Sequence, residues 1–460
     1  MPKTSRILPL CLAVGLSAAV AQTMNPTDGG PRPELRMPSP GLHSQDTTEV
    51  SRVLAPEQPA QTDAGFAAIN AVTQPSGPLG DPNLNDMPAL NEAGVAILDT
   101  GAEAAGNWWR VVPLVNAGVI YDDNIFISNT DRKADVIFNI GGGFALEVGD
   151  YRTLEENYLL LEYLASGYFF GKYTSQNSFG QDASLLAQYR FNQLAVQLES
   201  EYQYINGAQR QVGGFTTRNL ILNDLRFVYD LSEKTSVDLT LTQNNFIYDS
   251  PYNSSYYFQA TAGMDYQVLP KVRAGLEGTV GYVTADNNPD QTYQIINARA
   301  KYDLTGKVAI NATAGVQFNQ YTSGDQSMRV SPVFAVGGEY LPFPNTALSL
   351  VAYRNLQVSP SLDNQDFWAT GVELGITQTI AQRLQLGLSG GYENDTYVSN
   401  LKDVDADRVD DFFFIQPEIS YNFLKYLTAT IFYQHRFNDS TLPVDTWYDN
   451  QVGLELSAAF

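Results

Sequence analysis

The chain has 460 residues, of which 27 are Lys or Arg and 50 are Asp or Glu, giving a formal net charge of -23 at pH 7. Because this charge would repel a polyanion, the composition argues against nucleic acid as a partner. After the first residues no apolar run reaches about eighteen residues, which excludes ordinary transmembrane helices.

The first 21 residues are predicted to be a signal peptide. Lys3 and Arg6 precede an apolar run over residues 7–20, and Ala-Val-Ala at residues 19–21 is a small-residue cleavage pattern. Loss of these two positive charges takes the net charge from -23 to -25. The single cysteine, Cys11, lies in this run. We therefore expect no disulfide in the mature chain.

Residues 22–107 are rich in Pro, Gly, Ala and Asn and show no sustained period of two or 3.6. This composition predicts a flexible periplasmic segment, which we call the lead. A short helix over residues 87–98 and a plug inserted into the following domain remain alternatives.

Residues 108–460 form a ladder of about eighteen amphipathic segments. The last segment is typical: Val452, Leu454 and Leu456 alternate with Gln451, Gly453, Glu455 and Ser457. The mean hydropathy of -0.20 is compatible with a membrane barrel, because half of its strand positions face a polar interior. We predict strands at 110–121, 134–148, 157–170, 181–191, 194–205, 219–231, 235–248, 256–269, 272–285, 293–304, 308–321, 329–341, 346–358, 366–380, 383–394, 410–423, 426–437 and 446–460.

The connections between these segments alternate between short and long. Long, Asp/Asn/Ser-rich connections are predicted at 122–133, 206–218, 249–255, 286–292, 359–365, 395–409 and 438–445. Short periplasmic turns and long extracellular loops are typical of outer-membrane barrels. The fold class is therefore predicted as all-β: a transmembrane, antiparallel, up-and-down β-barrel of about eighteen strands with both termini in the periplasm. Aromatic residues cluster at segment ends, which predicts two aromatic girdles. Pro113, Pro332 and Pro417 weaken three of the predicted strands.

The segment from Ala117 to Phe126, with Tyr121-Asp122-Asp123-Asn124, and the Gly-rich stretch Ile140 to Phe144 resemble the start of the β-barrel porin type 2 family. The resemblance covers residues 108–460 and leaves out the lead. It implies an outer-membrane barrel. It also suggests a role beside exopolysaccharide export, because some members are similar to barrels found with that machinery.

The sequence favours a protein without catalytic activity and without a cofactor. A hydrolase triad would need a histidine, and the chain has only His43, in the lead, and His435, in a Tyr/Phe-rich strand. Asp403, Asp405 and Asp407 are weak candidate metal ligands with Ca²⁺-like spacing. Arg408 and Phe414 stand where a calcium loop needs Gly and Glu, so a solvated acidic loop is the default reading.

The charged side chains on the polar face of each segment are the candidate pore lining. They are Glu147, Glu162, Asp182, Arg190, Glu199, Glu201, Arg226, Asp238, Asp265, Arg273, Glu277, Arg299, Lys301, Glu373, Glu418, Arg436 and Glu455. They could form a structural ladder of ion pairs, or an acidic pore that favours cations or neutral sugars over anions.

These observations predict a porin-like barrel that passes polar solutes, saccharides among them, through a mixed-charge acidic lumen. The alternatives are an accessory of exopolysaccharide secretion, or a closed barrel serving as surface receptor or anchor. The expected partners are outer-membrane lipid, lipopolysaccharide and the β-barrel assembly machinery, with the terminal Phe460 as assembly signal. The oligomeric state stays open.

Overall fold

The computed structural model describes residues 35–36, 96–97, 109–149, 157–303, 307–322, 328–343, 345–380, 383–401, 406, 408–424 and 426–460. The chain divides into two units, residues 1–33 and residues 34–460, and every described residue lies in the second. The predicted signal peptide and most of the lead, with His43, lie outside the described residues, as do Asp403, Asp405 and Asp407.

Eighteen strands form the domain. They are β1 (Trp109–Asp122), β2 (Asp135–Gly149), β3 (Tyr158–Phe170), β4 (Ser178–Phe191), β5 (Leu194–Gln209), β6 (Gly214–Ser232), β7 (Thr235–Tyr248), β8 (Ser255–Leu269), β9 (Val272–Ala285), β10 (Gln291–Asp303), β11 (Val308–Tyr321), β12 (Arg329–Phe343), β13 (Thr346–Val358), β14 (Gln365–Ile380), β15 (Leu384–Ser399), β16 (Val409–Leu424), β17 (Leu427–Ser440) and β18 (Trp447–Ala459). Two short 3₁₀ turns, Thr174–Gln176 and Pro443–Asp445, lie in connections. A separate two-residue pair joins Leu35–Arg36 to Ala96–Ile97. No helix among the described residues is long and apolar enough to cross a membrane.

Each strand pairs antiparallel with its neighbours in the chain, and β18 pairs with β1, so the sheet closes into a barrel. The closing pairs run from Gln451 opposite Asp122 to Ala459 opposite Leu114. The predicted all-β fold, an antiparallel, up-and-down β-barrel of about eighteen strands, is confirmed. We call the end where β1 begins and β18 ends the terminal rim, and the opposite end the loop rim.

The barrel is polar inside and apolar outside. On β18, Asp449, Gln451 and Glu455 are at most 2% exposed, whereas Val452 and Leu454 are 49% and 41% exposed. The other strands alternate in the same sense, with polar side chains among the buried residues and Val, Leu, Ile and Phe among the exposed ones. A soluble sandwich would have the opposite arrangement. The outer surface is therefore suited to lipid.

Exposed aromatic side chains gather at both rims. At the terminal rim they are Trp109, Tyr189, Phe191, Tyr229, Tyr266, Tyr340, Phe343, Tyr421, Phe423, Tyr426 and Phe460. At the loop rim they are Tyr121, Phe138, Phe169, Phe179, Phe258, Tyr282, Tyr392, Phe413, Tyr433, Phe437 and Tyr448. Such belts are typical of the two interfaces of a membrane barrel.

One predicted loop is largely strand, so that prediction was wrong, and a second predicted loop begins later than predicted. The predicted loop 206–218 is the extended end of the β5–β6 hairpin, with a turn only at 210–213. The first five residues of the predicted loop 395–409 belong to β15. The first stretch is rich in polar residues because it continues inside the barrel, where both of its faces meet other parts of the protein. Residues 395–399 keep the alternation of β15, with Asp395, Tyr397 and Ser399 buried.

The three prolines lie in strands at places where the ladder is interrupted. Pro332 pairs with Val316 on β11, while pairing of β12 with β13 begins only at Phe334. Pro417 lies in a gap of the β16–β17 pairing. Since proline cannot donate a hydrogen bond, these positions cost the sheet little.

Candidate functional site

The structure places every predicted pore-lining side chain on the inner side of its strand. Five of them, Asp182, Arg190, Glu199, Arg273 and Glu418, are half-buried, and the other twelve are buried. Their role as a pore lining stays a prediction. Side chains that the sequence reasoning missed also face inward, notably Arg210, Glu393 and Asp395. Glu393 lies within the predicted strand 383–394 and was overlooked on its polar face, whereas Asp395 would have been found only if that strand had been extended past residue 394.

Four charged side chains on adjacent strands form a buried cluster on one wall. Arg299 of β10 bonds Asp265 through Nε at 2.7 Å and Nη2 at 2.6 Å. Its Nη1 donates to Glu277 at 3.2 Å, and Nη2 also bonds Asp238. One guanidinium therefore joins β7, β8, β9 and β10. Here the inner charges form the structural ladder of ion pairs that the sequence left as one alternative.

The tip of the β5–β6 hairpin extends into the barrel, and we call residues 205–217 the first inward hairpin. Pairing of β5 with β4 ends at Tyr204 and pairing of β6 with β7 begins at Arg218, but β5 and β6 remain paired to the turn. The turn needs the left-handed backbone of Gly213, with φ of 69°. The first inward hairpin is thus held by the pairing of β5 with β6 and by the contacts that its tip makes inside the barrel.

Arg210 at this tip reaches the opposite wall, nine strands away on β15. Its Nη2 bonds Glu393 and also Asp395, the latter at 3.0 Å, and its guanidinium lies 4.4 Å from the ring centre of Phe412. Tyr353 on β13 donates a further hydrogen bond to Glu393. All of these side chains are buried, so each charge is stabilised by its oppositely charged partner and not by water.

The β13–β14 hairpin also bends inward, and we call residues 355–368 the second inward hairpin. Pairing of β13 with β12 ends at Arg354, while β13 and β14 pair as far as Val358 opposite Asp366. Val358 N–H donates to the Tyr257 hydroxyl of β8 at 3.0 Å. Gln291 of β10 donates to both Asp366 oxygens, at 3.0 and 2.9 Å. This hairpin is therefore anchored to a wall distant from its own strands.

Apolar side chains cover both faces of the second inward hairpin. Leu356 and Trp368 pack in a cluster with Tyr257, Tyr293 and Phe246. On the other face, Phe367 belongs to a cluster that includes Ala208, Phe412 and Trp447. Because Ala208 is part of the first inward hairpin, the two hairpins share this second cluster. They form one packed body across the lumen near the loop rim.

Polar contacts join the two hairpin tips. Ser361 Oγ donates to the Gln211 carbonyl at 2.6 Å, and Arg408 Nη1 donates to the same oxygen at 3.4 Å. Arg408 also pairs with Asp410 at 2.6 Å and with Asp445 at 3.2 Å. Burial raises the pKa of the Asp445 carboxyl in the β17–β18 connection above its ordinary value, although Arg408 opposes this shift. These contacts between the two hairpin tips involve charged groups and are largely excluded from solvent.

Several inner polar atoms have no hydrogen-bond partner among the described residues. They include both amide atoms of Asn139 and Asn311, both carboxylate oxygens of Glu455 and the hydroxyls of Thr313 and Ser457. Leaving such atoms without partners costs about 1–3 kcal/mol each. Since these atoms are closed to solvent in this structure, the partner suited to them is buried water between the side chains.

The Tyr-Asp-Asp-Asn stretch of the sequence binds β1 to β18. Asn124 Nδ2 donates to the Tyr448 carbonyl at 2.9 Å and to the Ser128 carbonyl at 3.0 Å, and Asn124 Oδ1 accepts from Ser128 N–H at 2.9 Å. Asp123 accepts from Asn450 N–H at 2.9 Å and from its amide at 2.7 Å. The motif closes the barrel at the loop rim.

The carboxylates of Asp122, Asp123 and Asp449 lie within 4.8 Å of one another. Gln451 donates to Asp122 at 3.0 Å and Arg436 Nε donates to Asp449 at 2.8 Å, so protein groups already serve this cluster. His435 is half-buried on the outer side of β17, where Nδ1 lies 2.9 Å from Asn450 Oδ1. Neither group forms a reactive arrangement with a nucleophile in the described residues.

Comparison with solved structures finds outer-membrane proteins. The Acinetobacter baumannii protein OccAB3 is 12% identical, with a TM-score of 0.39 over 76% of this chain and 99% of that one. The Pseudomonas aeruginosa outer membrane protein OpdK is 9% identical, with a TM-score of 0.40 over 76% and 99%. The Yersinia pestis ferric yersiniabactin uptake receptor FyuA is 9% identical, with a TM-score of 0.36 over 76% and 80%. Scores this low transfer no property to this chain.

No protein-family model and no curated protein matches the chain. The resemblance to the β-barrel porin type 2 family therefore stays a prediction. The fold itself rests on the closed ladder described above.

Proposed function

We propose that this protein is an outer-membrane barrel that passes polar solutes, saccharides among them, with its terminal rim and lead in the periplasm. The observation that carries the proposal is the closed barrel with an apolar outer face and an inner face of amides, hydroxyls and paired charges. A barrel of this size can hold a water-filled interior. Its surroundings would be lipid and lipopolysaccharide, and the terminal Phe460 would be read by the assembly machinery.

The inner face supports neutral or cationic solutes over anions. Arg299 is shared among three carboxylates, and Arg210 between two, so acidic groups outnumber basic ones in both clusters. An acidic surplus near the path of a solute disfavours anions.

The two inward hairpins would control this passage near the loop rim. Their tips meet at the Gln211 carbonyl, and Arg210 bridges to the opposite wall. A solute would pass when the hairpins separate or shift. We therefore expect the wild-type protein to conduct in brief openings rather than as a steadily open pore.

The test is reconstitution of the purified, folded barrel in planar bilayers and in liposomes. The proposal predicts conductance steps with cation preference, and liposome swelling in small neutral sugars that falls as sugar size increases. The proposal would be refuted if neither the wild type nor a variant with a weakened hairpin contact gave conductance or swelling. Folding is checked in each case by the heat-dependent mobility shift of the barrel on gels.

The interlocked hairpins also favour a second candidate, a closed barrel acting as surface receptor or anchor. This candidate predicts that both wild type and the weakened variant remain silent in bilayers while staying folded. The alternative of an accessory of exopolysaccharide secretion rests on the sequence resemblance alone. It is tested by surface polysaccharide in a deletion strain.

A further inference from the structure

A buried carboxylate without a hydrogen-bond partner lies on the inner wall where the barrel closes. Glu455 of β18 is 1% exposed, and neither of its carboxylate oxygens accepts a hydrogen bond from a described residue. The Lys and Arg side chains of β17, β18 and β1 to β3 are limited to Arg436 and Arg110, which bond to Asp449 and Glu147. Glu455 therefore lacks the basic partner that a buried charge requires.

Four neutral side chains beside Glu455 on the inner face also carry oxygen atoms without a partner among the described residues. They are Asn116 of β1, Asn139 of β2, Ser166 of β3 and Ser457 of β18, each at most 6% exposed. The strand register groups them with Glu455, because two neighbouring rows across β18, β1, β2 and β3 contain all five side chains. Unpartnered oxygens are thus concentrated on one small area of the wall.

Gly118 of β1 lies between Glu455 and Asn139, since it is opposite both of them in the ladder. A Cβ atom placed on Gly118 would lie 2.4 Å from Asn139 Oδ1 and 3.3 Å from Glu455 Cγ. Both side chains therefore lean over the bare backbone of this glycine from the two neighbouring strands. The arrangement brings an amide oxygen and a carboxylate toward the same place.

Gly141 of β2 has the same role in the adjacent row. A Cβ atom placed on Gly141 would lie 2.0 Å from Asn116 Oδ1 and 2.4 Å from Ser166 Oγ, so these two oxygens are at most 4.4 Å apart, the sum of the two distances. Two oxygen ligands of one calcium ion can be at most about 5 Å apart, twice the metal–oxygen distance. The spacing of these oxygens is therefore compatible with a hard cation.

A cation would satisfy this group of side chains better than water or a proton. Buried water completes the hydrogen bonds of amides and hydroxyls, but it does not neutralise a carboxylate. A proton neutralises the carboxylate, but the resulting carboxyl group supplies only one donor to several acceptor oxygens. Calcium is bound by carboxylate, amide and water oxygens together. The absence of nitrogen and sulfur donors among these five side chains disfavours zinc and copper.

We propose that Glu455 and the amide oxygen of Asn139 bind a calcium ion on the inner wall above Gly118. The neighbouring Asn116 and Ser457 supply further oxygen ligands, directly or through water. Because Glu455 is on β18 and Asn139 is on β2, the ion joins these two strands across β1. It stabilises the closure of the barrel, a role that does not depend on solute passage.

The calcium content of the folded, full mature chain tests the site. The protein is refolded in detergent without lipopolysaccharide, incubated with calcium chloride at neutral pH and separated from free ion before metal analysis. We expect the wild type to hold about one calcium ion per barrel more than Glu455→Gln. Glu147→Gln is the matched control, because Glu147 is a buried inner glutamate that is paired with Arg110. It should keep the wild-type calcium content.

Two asparagine variants separate loss of a ligand from a general change in the inner wall. Asn139→Leu removes the amide oxygen at nearly constant volume, and Asn311→Leu makes the same change at a buried, unpartnered inner asparagine of β11. Loss of an outer-shell partner alone costs about 10- to 100-fold in metal affinity, so Asn139→Leu should raise the calcium Kd at least about tenfold. Asn311→Leu should leave the Kd unchanged. The heat-dependent mobility shift shows whether each variant is folded.

Three results would overturn the proposal. Equal calcium content in wild type and Glu455→Gln would place any bound calcium elsewhere in the protein. A wild type that retains no calcium would mean that a proton neutralises Glu455. Equal calcium affinity of Asn139→Leu and Asn311→Leu would remove Asn139 from the site. Because the readouts are metal content and affinity and not conductance, failure of this proposal is distinguishable from failure of the proposed transport function.

Discussion

Replacing Arg210 by Ala should release the first inward hairpin. In the closed arrangement the substitution leaves Glu393 and Asp395 buried without the guanidinium that both contact. Removing one partner of a buried ion pair costs about 3–5 kcal/mol. If the hairpin lifts, the two carboxylates regain water, so the cost falls mainly on the closed state. The closed-to-open ratio should therefore fall about a hundredfold to a few thousandfold.

The assay is single-channel recording of Arg210→Ala beside wild type, with swelling of liposomes in a small sugar as a second measure. Arg132→Ala is the matched control, because Arg132 is an exposed loop arginine that stacks on Tyr448 and touches neither carboxylate. We expect long openings for Arg210→Ala and wild-type behaviour for Arg132→Ala. Unchanged open probability in a folded Arg210→Ala barrel would show that the Arg210 contacts do not hold the passage closed.

Three further substitutions test the parts of the barrel separately. Arg299→Met should destabilise the barrel by about 3–5 kcal/mol in urea unfolding, because it leaves three carboxylates facing one another. Adding Asp238→Asn and Asp265→Asn should recover much of the lost stability. If stability does not recover, the cause is lost packing and not charge. Asn124→Ala removes one hydrogen bond to Tyr448 of β18 and two hydrogen bonds to Ser128 in the loop after β1, and it should cost about 2–4 kcal/mol. Asn129→Ala in the exposed loop should cost much less, and equal effects would contradict the role given to Asn124. Because the pKa of Asp445 is raised in the folded state, ionisation of its carboxyl lowers the stability of the fold as pH rises through that pKa. Asp445→Asn should therefore be more stable than wild type at pH 7, and the difference in stability should disappear as pH falls toward the ordinary pKa of aspartate. A stability difference that does not change with pH would disprove this linkage.

The barrel could be predicted from sequence because the sequence features that specify it are local. The period of two fixes which face of each strand meets lipid, and short turns such as the one after Phe191 fix which neighbour it pairs with. Eleven of the eighteen predicted strands start and end within one residue of the observed bounds at both ends, and β7, β9, β11 and β13 match these bounds at every residue. Even the strands with Pro332 and Pro417 were predicted, since each proline is tolerated where a ladder is missing.

The hairpin contacts could not be predicted in the same way. The bond from Arg210 to Asp395 joins residues 185 positions apart, and nothing in the alternation of either strand specifies that partner. The polar residues at 206–218 also resemble an extracellular loop. Neither face of this hairpin meets lipid, so its sequence lacks the alternation of apolar and polar residues that marks a wall strand. Long-range contacts inside a lumen depend on closure of the whole barrel.

The two aromatic belts fix the height of the apolar band. On β18 the stretch from Tyr448 to Ala458 rises about 3.4 Å per residue, and with a strand tilt near 40° it spans about 25 Å along the membrane normal. This height matches a thin bilayer and falls short of thicker ones. Lipids with longer chains would have to compress around the protein, and the resulting hydrophobic mismatch would favour clustering of barrels or retention in the thinner of a cell's membranes.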